Sequence, residues 1–300
     1  MKFEQFKIEI LTQPDDPWEV GTSPELWTRQ VADMIRKLET VDCGLRFLRL
    51  IGNGPKWIVI EPLLKNMKNC NAHGGARMTM GPNVGGVVKY DPEVFEIGGP
   101  CHLSKFGDSK ERPPGSRGDE VFFHELVHAH RAVQGIRDPE KLEKGMYRYT
   151  SIEEFLAVVM TNVYIADITN KPGRFLRGGH HGHAVLEPVL SGSVAFYRSS
   201  PQVLPIMKKI QAEEPDLFAS MASVRAWFNP FWSLLHQPAE VFSASVSEEA
   251  RWYEKNNEKI QKRLNEQMFA KRRGYAEKLA KDRVDASIAF VISSISDALR

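Results

Sequence analysis

Between Val121 and Val133 the side chains Val121, Phe122, Phe123, Leu126, Val127 and Val133 are apolar around most of a helix's circumference, and His124, Glu125 and His128 stand among them. A helix of that kind is buried, so its surroundings must satisfy a carboxylate and two imidazoles away from water. In H-E-x-x-H spacing the two histidines project from one face, one turn apart, and both can reach a single ion. Glu125 lies beside them and can hold and deprotonate a water bound to that ion. The pattern predicts a zinc centre.

The rest of the chain sets this helix in an α+β order, a small mixed N-terminal sheet followed by a mainly helical half. Phe3 to Leu11 has period-two character, and Pro24 to Leu38 is an amphipathic helix capped by Ser23. Leu45–Ile51 and Trp57–Ile60, separated by Gly-Asn-Gly-Pro, read as a hairpin. In the glycine-rich region that follows, Gly-Gly-Val-Val-Lys-Tyr-Asp-Pro (85–92) reads as a strand ending at a turn, either an exposed edge able to pair with an extended peptide or a central strand. Asp119 can cap the next helix, which stops at Gly135, and Ser151 starts another through Ile168. Helices are expected at 201–213, 216–227 and 238–249, and the last 50 residues read as one or two long charged helices.

Zinc needs a third protein ligand, with the fourth position left for water. The version H-E-x-x-H-x-x-G-x-x-H fails, because Arg131 and Gln134 stand where it needs glycine and histidine. A glutamate on a following helix is the remaining common solution. Ser151-Ile-Glu153-Glu154-Phe-Leu-Ala-Val-Val offers two, and each also fits a capping box, Ser151-x-x-Glu154 or Thr150-x-x-Glu153.

His-Glu-Leu-Val-His-Ala, followed about 25 residues later by Glu-Glu-Phe-Leu-Ala-Val, resembles gluzincin-type zinc peptidases. It is similar in particular to bacterial effector and toxin proteases, including the secreted family that cleaves host MAP kinases. The segment Val-Val-Lys-Tyr-Asp-Pro looks like the stretch preceding the motif in that family, so the resemblance covers roughly residues 85–165. It implies a Zn2+ ion held by His124, His128 and Glu154, the glutamate before Phe-Leu-Ala, and little about the first 80 residues or the last 120; the expected division is a zincin-like catalytic domain over 1–185 and a helical region over 186–300 packed on or extending from it. It also implies a tyrosine near the oxyanion at about the distance of Tyr147, with Tyr149 an equal chemical candidate.

Downstream, Arg174-Phe-Leu-Arg177-Gly-Gly-His180-His181-Gly-His183 gathers histidines and arginines in a glycine-rich connection. His181 or His180 there can donate to a developing oxyanion, and an arginine can hold a carboxylate. The resulting expectation is a zinc metallopeptidase acting on a protein or peptide substrate. Its rivals are a zinc hydrolase of a small or cell-wall peptide and a non-catalytic binding protein on a zincin scaffold. An intact Glu125 speaks against the last, since binding zinc alone needs no base.

Composition narrows the rest. With 42% apolar and 10% aromatic residues the chain can bury a substantial core, and a net charge of +2 is too near zero to imply a polyanionic partner for the whole protein. Residues 251–283 are locally basic, 11 Lys or Arg against 5 Asp or Glu, which is usually a solvated face, and no nucleic acid is expected. Cys43, Cys70 and Cys101 are too few and too irregular for a disulfide framework and suit a reducing compartment. The first residues lack a signal-peptide core and no stretch is of membrane-span length. The chain is thus expected to be cytoplasmic as synthesised, with export by a signal-independent route compatible with the sequence.

Overall fold

The computed structural model describes residues 1–11, 23–63, 72–76, 84–95, 114–138, 142, 149–169, 176–179, 185–186, 193–200, 202–237 and 242. Contacts divide the chain into a compact unit Met1–Arg251 and a second unit Trp252–Arg300. The second unit, with the charged helices expected of it, lies outside the described residues, as does most of the helix expected at 238–249.

The first unit is a mixed α+β structure. Its strands β1 (Lys2–Phe3), β2 (Ile8–Ile10), β3 (Trp57–Pro62), β4 (His73–Ala76) and β5 (Val84–Tyr90) form one sheet in the order β1-β2-β3-β5-β4. The inner pairs β2–β3 and β3–β5 run parallel, whereas β1 and β4 are antiparallel at the two edges. Strand β5 is therefore central, and the glycine-rich β4 forms the edge beside it.

Helix α1 (Pro24–Glu39) starts where Ser23 Oγ accepts a hydrogen bond from the Leu26 N–H at 3.2 Å, with Pro24 in the first turn. It buries Trp27, Val31, Ala32, Ile35 and Leu38, and Trp27 Nε1 donates to the Tyr90 carbonyl at 3.1 Å, tying the helix to β5. Residues 42–53 form helix α2 (Asp42–Asn53), not the first arm of a hairpin. Its buried set, Cys43, Gly44, Phe47, Leu48 and Ile51, recurs every three and four residues, so helical spacing wins over the run of apolar letters. Cys43 is a free, buried thiol whose pKa burial pushes well up, with Asp167 adding to the effect.

Helix α3 (Gly118–Gln134) ends at Gly135, which adopts φ +71° and donates back to the last turn. Asp119 does not cap it. The cap position is Arg117, while buried Asp119 pairs with Lys37 at 2.8 Å and accepts from the Tyr164 hydroxyl at 3.2 Å, drawn inward by these partners. Helix α4 (Ile152–Thr169) is buried from Ile152 to Ala166 except at Glu154, the pattern of a helix enclosed by its neighbours. Phe123 of α3 stacks on Tyr164 of α4 at 4.8 Å and leans on Phe47 of α2 at 5.2 Å.

The unit continues past residue 185. Helices α5 (Ser193–Arg198), α6 (Val203–Glu213), α7 (Pro215–Ala222) and α8 (Pro230–His236) belong to the same core. Phe196 stacks on Phe155 of α4 at 6.1 Å, and Phe218 meets Phe231 at 5.1 Å. The expected helix 216–227 stops at Ala222, because Asn229 Nδ2 donates to the Met221 and Val224 carbonyls and its Oδ1 accepts from Trp232 N, opening α8 at Pro230. Among the described residues no helix is long and apolar enough to cross a membrane.

Replacing Phe123 with alanine removes the ring shared by α2, α3 and α4. Urea unfolding of Phe123→Ala is expected to show a loss of about 3–5 kcal/mol, with Phe123→Leu losing less.

Candidate metal centre

Helix α3 sits on glycine. A Cβ at Gly74 of β4 would collide with the Glu125 carbonyl oxygen, and one at Gly86 of β5 would stand 2.9 Å from the Ala129 carbonyl. This close approach lets the Gly74 N–H donate to Glu125 Oε2 at 2.6 Å, so the edge strand holds the carboxylate of the motif.

The other face of α3 meets the first turn of α4. Ser151 Oγ accepts from the Glu154 N–H at 3.2 Å, starting the helix and turning the Glu154 side chain toward α3. Glu154 Oε2 lies 3.2 Å from His124 Nε2 and 3.3 Å from His128 Nε2, and the two Nε2 atoms are 3.1 Å apart. Bonds of about 2.0–2.1 Å at a tetrahedral ion place neighbouring ligand atoms about 3.3 Å apart. The three atoms form a nearly equilateral triangle of that size, so the donor set has the geometry to hold one metal ion.

Glu153 points elsewhere. Its Oε1 is 2.9 Å from His128 Nδ1, and its Oε2 is 3.0 Å from Arg131 Nε and accepts from Asp138 N at 3.3 Å. A carboxylate on Nδ1 directs Nε2 toward the triangle, the arrangement that orients metal-binding histidines. His124 carries a different neighbour. Arg177 Nη1 lies 3.5 Å from its Nδ1, and the guanidinium packs against Gly115, which takes φ +77°. Asn162 of α4 fixes Arg177 by its backbone, accepting from its N–H at 2.7 Å and donating to its carbonyl at 2.8 Å.

Burial dominates the electrostatics. It pushes His124 down to about 3, keeping that imidazole neutral, and pushes Glu125 up to about 7. Burial opposes charge on His128 too, but the bonds from Glu153 and Glu154 outweigh it and raise its pKa to about 9. Glu154 is likewise desolvated, yet the two histidines hold it far below the usual carboxylate range. The carboxylates of Glu153 and Glu154 thus stabilise positive charge on His128, so the surroundings of the cluster favour a cation. Arg177, buried behind His124, balances Glu120, Glu125 and Glu154.

Of the residues expected from sequence, His124, His128 and Glu154 come together and Glu125 stands beside them. Tyr149 is buried, packs edge-on against Phe155, and lies within electrostatic reach of Arg177. Tyr147, Arg174, His180, His181 and His183 lie outside the described residues. Gly74, Arg131, Asn162 and Glu214 carry site contacts that the motif did not announce. The glycine pairs were the visible sign of the first, and no local signal marks the others. Comparison with known families, curated proteins and solved structures gives no match to this chain.

Gly74→Ala should push β4 off α3. We expect a stability loss of about 1–3 kcal/mol in denaturant titration, together with faster hydrogen exchange at the residue 74 amide, which loses its bond to Glu125.

Proposed function

We propose that the chain is a zinc-dependent hydrolase of peptide bonds on a zincin-like scaffold, of the gluzincin type, with a protein or peptide as substrate. The observation that carries this reading is the triangle of His124 Nε2, His128 Nε2 and Glu154 Oε2, with sides of 3.1–3.3 Å, beside the carboxylate of Glu125. A zinc ion held there would supply Lewis acidity, polarising a scissile carbonyl and acidifying its water.

The chain's own groups account for the remaining roles. Glu125, anchored through Oε2 by Gly74, takes the proton of the attacking water and passes it to the departing amine. Glu153 keeps His128 oriented, and Arg177 places positive charge close to Glu125 and Glu154. Strand β4 stands at the sheet edge directly beside Glu125, a position from which its backbone can align an extended peptide. A binding protein that only needed the scaffold would have no use for a carboxylate so placed. The likeness to effector and toxin proteases in the H-E-L-V-H and E-E-F-L-A-V segments supports the same reading.

Reconstituted wild type is expected to hold about one zinc per chain, and His128→Ala and Glu154→Ala to hold none. Glu125→Gln should keep the metal while cleavage of casein or a mixed peptide library falls by at least about 10²–10⁴-fold. Full activity in Glu125→Gln, or a wild type that takes up no zinc when supplied, would overturn the proposal.

A further inference from the structure

The contact that orients His128 does not end at Glu153. Arg131, fully buried on α3, donates from Nη1 to Glu214 Oε1 at 2.7 Å and from Nη2 to the Ile136 carbonyl at 2.7 Å, while its Nε, which makes no hydrogen bond, forms an ion pair with Glu153 Oε2 at 3.0 Å. Glu214 is itself buried and forms the junction of two helices. Its N–H closes α6 on the Ile210 carbonyl at 2.8 Å, and its carbonyl accepts from Phe218 N at 2.9 Å to open α7. A continuous line of buried polar contacts therefore runs from a histidine of the triangle to a helix junction 83 residues along the chain from Arg131.

The chemistry of the link matters. A guanidinium is a rigid planar fork, so the direction of one N–H fixes the directions of the others. Glu214 and the Ile136 carbonyl set the placement of Arg131, that placement puts its positive charge 3.0 Å from Glu153 Oε2, and Glu153 in turn holds Nδ1 of His128. A plain tie between α3 and the α6–α7 pair would need no such chain. A buried ion pair gives little net stability over apolar packing of the same volume.

We propose that Arg131 and Glu214 are positioning residues of the metal centre: through Glu153 they fix the His128 ring, so that metal affinity depends on how the α6–α7 junction is seated. The proposal rests on His124, His128 and Glu154 being metal ligands. Binding is reciprocal, so loading the centre also steadies that junction.

The test measures zinc affinity of the full chain by competition with a chromogenic chelator. Glu214→Ala is expected to weaken zinc binding about tenfold, the lower end of what outer partners of metal ligands contribute. Glu214→Gln, whose amide oxygen still accepts from Arg131, should recover most of the loss. Ile10→Ala, a buried change in β2, serves as control and should lower folding stability while leaving zinc affinity unchanged. If Glu214→Ala does not fold, the double variant Arg131→Met/Glu214→Leu removes both charges together and should show the same weakening. Wild-type affinity in Glu214→Ala or in the double variant would overturn the proposal, as would an equal loss in Ile10→Ala. A wild type that binds no zinc would instead overturn the metal reading, and this inference with it.

Discussion

Helix α3 is closed in by β4 and β5 against one face and by α4 against another, and that enclosure dictates what its polar residues do. A charge that cannot reach water must find a partner inside the protein. The helix carries Asp119, Glu120, His124, Glu125, His128, His130 and Arg131 along its length. Four of these, Asp119, His124, His128 and Arg131, are met by the side chains of Lys37, Tyr164, Glu153, Glu154 and Glu214, while Glu120 and Glu125 accept from the Gly115 and Gly74 backbone N–H groups. The polar interior is therefore organised around one helix, and the candidate metal centre is the part of it where the donor atoms of His124, His128 and Glu154 converge.

Two adjacent glutamates divide the labour of that interior. Neighbouring residues on a helix point about 100° apart, so Glu153 and Glu154 cannot share a target. Glu154, the less buried of the two, faces both Nε2 atoms, whereas Glu153 takes the opposite nitrogen of His128 and the inner guanidinium. One supplies a donor atom and the other supplies geometry. A shift of one residue in the start of α4 would exchange these roles, and Ser151 fixes that start through the Glu154 amide.

How much of this was legible in the sequence follows from the range of each signal. Local patterns read well: the Ser23 cap, the Gly135 stop, and the buried helix bearing H-E-x-x-H all rest on residues a few positions apart. Residues 45–51 misled because consecutive apolar letters hid a helical set at 43, 44, 47, 48 and 51. Both glutamates fitted capping boxes, so sequence alone left Glu153 and Glu154 open, and only the packing of α4 on α3 separates them. Whether β5 is an edge or a central strand depends on β4 pairing beside it, a contact no window along the chain contains. Arg131 entered the sequence reading only as the residue that ruled out one ligand pattern. Its partner Glu214 lies far beyond any local motif.

The bare backbone beneath α3 has a consequence of another kind. Where strand and helix main chains touch, no side chain fits at Gly74 and scarcely one at Gly86, whatever happens elsewhere in the sequence. Any substitution at Gly74 or Gly86 therefore has to move the strand off the helix. The helix that carries His124, Glu125 and His128 thus depends on two positions of the sheet at which the side chain is a hydrogen atom.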